Sequence, residues 1–91
     1  MKAVPCDTLT YSDVDGTMWA CAKEMAGREY GIRIEADQGE ASRRGFTLKW
    51  TYEASEATLQ IQCSRKPFFV SCDKVNNRIK GAAEKCGLSA A

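Results

Sequence analysis

The chain has no histidine, no C-x-x-C pair, no long apolar run and almost no net charge, and each absence removes a class of function. Without histidine, a thiol or hydroxyl nucleophile lacks its usual base. A zinc site loses its commonest nitrogen ligand, and the cysteine spacings offer no paired thiolates in its place. The longest apolar stretches, such as Phe68 to Val70, are a few residues against the roughly 20 needed to cross a bilayer, so no membrane insertion is expected. Asp7, Asp13 and Asp15 interrupt the first fifteen residues, leaving no apolar signal-peptide core and pointing to a cytoplasmic protein. A formal charge of +1 suggests by itself no polyanionic partner.

What is present fits one small domain. The 91 residues, 44% hydrophobic and 27% charged, show no low-complexity run. A chain of this length buries only about 60–65% of its unfolded surface and has one core. Charge is distributed unevenly: residues 1–41 hold 4 basic and 8 acidic side chains, residues 42–91 hold 9 and 4. The cysteines, Cys6, Cys21, Cys63, Cys72 and Cys86, are odd in number. Spacing alone leaves a disulfide framework open, but a cytosolic setting favours five reduced thiols packed as small hydrophobes.

Along the chain, Val4, Leu9 and Tyr11 around Pro5 are too irregular for more than a short edge strand over residues 1–11. Ser12-Asp13-Val14-Asp15 fits a capping box that starts a helix. Val14, Met18, Cys21, Ala22, Met25 and Ala26 form its apolar stripe, with Trp19 at the margin and Glu29 intruding at the last turn. Gly31 stops it. Ile32, Ile34 and Ala36 alternate with charged residues and predict a strand over 31–38, followed by a mobile loop over 38–45. Phe46, Leu48, Trp50 and Tyr52, then Leu59, Ile61 and Cys63, mark two further strands. Pro67 sets the third strand outermost and turns Phe68 or Phe69 into the core. Ser71 or Asp73 then caps a second helix with the stripe Cys72, Val75, Ile79, Ala82, Ala83 and Cys86. Gly87 closes it and residues 88–91 are a flexible tail.

The expectation is an α+β domain spanning residues 1–91: helix, three-stranded antiparallel meander, helix, with both helices on one sheet face. The opposite face would present Thr47, Lys49, Thr51, Thr58, Gln60 and Gln62 to a partner protein or a second copy, and the exposed sheet edges offer the same by strand addition.

Candidate chemistry is sparse. Asp13-Val14-Asp15-Gly16-Thr17 is similar to the D-x-D-G-T motif of haloacid-dehalogenase-like phosphatases, which implies a nucleophile at Asp13, a general acid/base at Asp15 and magnesium. That family needs a buried apolar strand before the motif, where this chain has Leu9-Thr10-Tyr11-Ser12, and a larger sheet; carboxylates at a helix start explain both aspartates better. A calcium loop fails because Tyr11 and Ala22 would fall at ligand positions. Cys72, near a helix start with Lys66 and Lys74 close in sequence, would be the reactive thiol if exposed. It cannot bridge Cys86, about 21 Å along the same helix. No cofactor is implied. A nucleic-acid surface has more material: Lys74, Arg78 and Lys85 share a helix flank, and Arg43, Arg44, Arg65 and Lys66 stand in loops.

The run Tyr30-Gly31 ending a helix, Gly45-Phe46 opening a strand, Leu59-x-Ile61, and Lys66-Pro67 before Val75 and Ile79 resembles small bacterial granule-associated proteins of the polyhydroxyalkanoate-system family, over residues 18–86. The cysteines and Phe68-Phe69 depart from that pattern, and no ligand contact carries over. The resemblance implies association with a granule surface or another accessory role, not an enzyme. Together these readings favour a non-enzymatic interaction module, with nucleic-acid binding as the alternative and an Asp13/Asp15 phosphatase as a remote one.

Overall fold

The computed structural model describes residues 6–90. Its elements run β1 (Leu9–Ser12), α1 (Gly16–Tyr30), β2 (Gln38–Arg43), β3 (Phe46–Glu53), β4 (Thr58–Arg65), α2 (Cys72–Lys85) and β5 (Ser89–Ala90). They form one antiparallel sheet in the order β2-β3-β4-β1-β5 with two helices, an α+β fold. The meander β2-β3-β4 is present, but β1 pairs with the free side of β4, Leu9 opposite Ile61 and Tyr11 opposite Leu59. The strand expected outermost is therefore interior, and Pro67 marks its end rather than an edge. Nor do residues 88–90 form a flexible tail: Leu88 is buried and Ser89–Ala90 pairs antiparallel with β1, while residue 91 lies outside the described residues. Of the irregular N-terminal segment, residues 1–5 lie outside the described residues, Cys6 is buried and residues 9–12 are a strand.

The helices start and stop where their end chemistry allows. The Asp15 carboxylate, not Ser12, caps α1 by accepting from the Met18 N–H at 2.8 Å, and Asp13 sits at φ 56° in the preceding turn. Gly31, at φ 65°, ends the helix in the left-handed conformation. Ser71 caps α2 through Lys74 N–H. Trp19 and Ala26 of α1 and Ala83 of α2 share a core with Tyr11, Trp50, Tyr52, Leu59 and Leu88. Val75 and Ile79 pack with Cys6 and Cys63 in a second cluster.

The predicted strand at 31–38 and the predicted loop at 38–45 exchange roles. Ile32 is buried, but its segment carries no ladder: the Trp50 indole donates to Ala36 O at 2.9 Å, the Trp19 indole to an Asp37 carboxylate oxygen at 2.9 Å, and Tyr52 N–H to Asp37 O. Strand pairing begins at Gln38 because Gly39, opposite Trp50, leaves room for the indole; a Cβ there would lie 3.0 Å from a ring carbon. The hairpin then closes through Arg44 and Gly45, both at positive φ, the type I′ geometry that matches strand twist.

The Tyr52 hydroxyl donates to Val14 O at 2.8 Å across the core, and its ring stacks on Trp19 at 5.2 Å. Tyr52→Phe should cost about 1–2 kcal/mol, because it strands a buried carbonyl. Urea denaturation reads this; an unchanged midpoint would show that Val14 O finds water.

All five cysteines were expected reduced, and the structure corrects this. Cys6 bonds Cys72 and Cys21 bonds Cys86, with Cα separations of 5.3 and 5.6 Å, leaving only Cys63 free. One bridge ties the segment before β1 to the start of α2; the other ties α1 to the residue following α2. No described helix is long and apolar enough to cross a membrane.

Candidate functional site

Where the last turn of α1, the β2–β3 turn and the first half of α2 meet, the fold leaves an open cleft of about 540 Å³. Its apolar lining comes from Ile32, Phe46, Leu48, Val70, Val75 and Ile79, with Tyr30 at one side. Ile32, Val75 and Ile79 are themselves buried, whereas Phe46, Leu48 and Val70 are half-buried. Arg28, Glu29, Arg43, Arg44, Lys74 and Arg78 complete the wall.

Local structure aims several of these cations. Arg43 is the last residue of β2 and faces the helices, pairing with Phe46. Its guanidinium lies over Gly31, where an added Cβ would sit 2.8 Å from Arg43 Nε. Arg44 is held at φ 51° in the hairpin turn. The Arg78 guanidinium stands 5.9 Å from the centre of the Tyr30 ring, a cation–π contact. Arg28 is engaged by Glu24 at 3.3 Å, and Glu29 lies 3.8 Å from Lys85. Arg43, Arg44, Lys74 and Arg78 have no carboxylate within 4 Å among the described residues.

The structure thus divides the seven basic residues singled out from the sequence. Four converge on the cleft and three do not. Arg65 stands across from Thr47 at a register shift, which puts it with the opposite sheet face; Lys66 follows it outside the cleft wall; Lys85 pairs with Glu29. On that opposite face the register brings Lys49 beside Gln62 and Thr51 beside Gln60, with Thr58 next to Glu53. Several of these groups are already engaged. Thr47 and Ser42 share a 2.7 Å hydrogen bond, Glu40 stands opposite Lys49, Thr58 donates to Glu56 O, and the Gln62 amide donates to Cys6 O at 2.9 Å.

The other candidates also find structural roles. Asp15 is occupied as a helix cap, and no group of three or more acidic or cysteine side chains among the described residues could hold a metal. Cys72 is bonded to Cys6. Cys63 is buried and its thiol donates to Arg65 O at 3.1 Å; burial pushes its pKa up, which suppresses the thiolate.

Sequence reasoning placed Phe68 or Phe69 in the core, and this is overturned. Phe68 is 95% and Phe69 77% exposed, their rings edge to face at 5.7 Å. The Val70 N–H donates to Pro67 O at 3.1 Å, so both phenylalanines occupy the centre of a tight turn, and Val70 is the residue that returns to the cleft wall. The turn abuts the hairpin, since a Cβ on Gly45 would lie 3.2 Å from the Pro67 ring. Aromatic tip and basic cleft are therefore neighbours. No family model, curated protein or solved structure matches the chain.

Proposed function

We propose that this chain is a non-enzymatic binding module whose cleft takes up an anionic group carried on an apolar body. The observation behind this reading is the convergence, on an apolar hollow of about 540 Å³, of four cations without acidic partners among the described residues. That volume lies in the range of small-ligand sites. Arginines present planar, bidentate donors to carboxylate or phosphate, and the apolar floor gains from covering by a hydrocarbon. The two disulfides suit an oxidising compartment. The cleft is preferred to the open sheet face, where Ser42, Thr47 and Gln62 already have partners. It is preferred to a nucleic-acid track because Arg65 and Lys85 do not continue the line of cations.

Titration with decyl phosphate below its micellar concentration tests this. Saturable amide shifts are expected at Tyr30, Arg43, Phe46 and Val75, with decanol binding far more weakly. Arg43→Ala and Arg78→Ala should each weaken binding by about tenfold, the loss of one charge-assisted hydrogen bond. Absence of saturable shifts at those amides would overturn the reading.

A further inference from the structure

We propose that the Pro67–Val70 turn docks the protein peripherally on an anionic bilayer, with Phe68 and Phe69 entering the headgroup–acyl boundary and Arg44, Lys66 and Lys74 meeting lipid phosphates. The inference rests on the cleft reading in one respect: the bilayer is the source of the anionic amphiphile.

Two adjacent phenylalanines exposed to this degree lose hydration favourably only against an apolar surface, and nothing in the described chain covers them. The turn that carries them is braced. Pro67 rests on the Gly45 hairpin, Val70 is bonded back to Pro67, and the Cys6–Cys72 bridge fixes the chain two residues beyond Val70. A braced aromatic tip with long cationic side chains close by suits the bilayer interface, where rings enter and ammonium and guanidinium groups stay with the phosphates. Three basic residues, Arg44, Lys66 and Lys74, flank the tip, with two acids at the start of α2: Asp73 in its first turn, and Asp7, which follows the bridged Cys6 and whose carbonyl accepts from Asn76. Val70 belongs to both the tip and the cleft wall, so the cleft opens beside the docked surface.

Charge decides against a second copy as the occupant: two-fold pairing through this tip would bring two copies of the basic cluster Arg44, Lys66 and Lys74 into one interface. Edge-to-face packing of the two rings, at 86° between planes, also makes a poor ladder for successive stacked bases.

Co-sedimentation of the oxidised full chain with large vesicles is the test. Binding is expected to vesicles of equal phosphatidylglycerol and phosphatidylcholine, with much weaker binding to phosphatidylcholine alone and release at about 1 M salt, where charge screening is short-ranged. Phe68→Ser with Phe69→Ser should lower the partition coefficient by about 30-fold or more, and Arg44→Gln with Lys74→Gln by about tenfold. Both pairs lie on the surface, and their amide spectra should otherwise match the parent. The phenylalanine double variant should retain decyl phosphate binding. Parent protein that binds decyl phosphate but not anionic vesicles would overturn the docking inference and leave the cleft reading standing. A dimer dissolved by the double serine change, or oligo(dT) binding lost with it, would overturn docking in favour of self-association or single-stranded nucleic acid.

Discussion

Reducing the two disulfides should unfold most of the protein at physiological temperature. Cys6–Cys72 and Cys21–Cys86 span 66 and 65 residues of sequence. In the loop-entropy description, the first bridge to form contributes about 4 kcal/mol. The second closes a shorter path through the first, roughly 30 residues, and contributes about 3.5 kcal/mol. A domain of this size is stable by about 5–15 kcal/mol in total, so the pair accounts for a large share of it. The connections explain the dependence: Cys6–Cys72 anchors the segment leading into β1, and Cys21–Cys86 clamps the helices that cover the sheet. Urea unfolding followed by tryptophan fluorescence, with and without a phosphine reductant, gives the difference. Thiol titration of the native protein should find no reactive group until denaturation exposes Cys63, the one free thiol, which is buried. Five reactive thiols in the untreated native protein, with superimposable unfolding curves, would sink the expectation.

Where side-chain periodicity was strong, the fold was legible. The α1 and α2 stripes put Ala26, Val75, Ile79 and Ala83 into the core, and the alternation of β3 and β4 put Trp50, Tyr52, Leu59 and Cys63 there. The misplacement of β2 has a definite cause. Ile32, Ile34 and Ala36 have strand alternation but are held by the Trp19 and Trp50 indoles and by Tyr52 N–H, whereas Gln38–Arg43 has weak alternation because the residue facing Trp50 must be glycine. A pairing strand with a small residue at that point is the complement of an indole, and only the register reveals it. β1 and β5 are too short, at four and two residues, for periodicity to resolve.

At the candidate site, residue types were readable and positions were not. Arg43, Arg44, Lys74 and Arg78 were visible as bases, but their meeting requires the β2–β3 turn to lie beside α2, a tertiary fact. Phe68 or Phe69 was expected in the core because Pro67 was read as shifting side-chain parity; instead Pro67 opens a tight turn whose two central residues stay exposed, and the chain returns with Val70. The cysteine pairing was likewise hidden, since both bridges join segments at opposite ends of the chain, and the cytosolic expectation pointed toward free thiols.

Trp50→Ala should be the most damaging single substitution in the sheet, costing about 3–5 kcal/mol. The indole is buried at the centre of β3, fills the space above Gly39, and spends its N–H on Ala36 O, so truncation opens a cavity and frees the 32–37 segment together. The Gly39 contact permits a sharper test by a double-mutant cycle. Alone, Gly39→Ala should destabilise by about 1–2 kcal/mol, because its Cβ would press on the ring and force it off its rotamer. In the Trp50→Ala background the same change should become neutral or stabilising, since the added methyl enters vacated space and alanine loses less backbone entropy than glycine. Thermal or urea unfolding of the four proteins gives the coupling. Equal costs for Gly39→Ala in both backgrounds would mean that the glycine serves the strand backbone and not the indole, and the account of why β2 begins at Gln38 would fall with it.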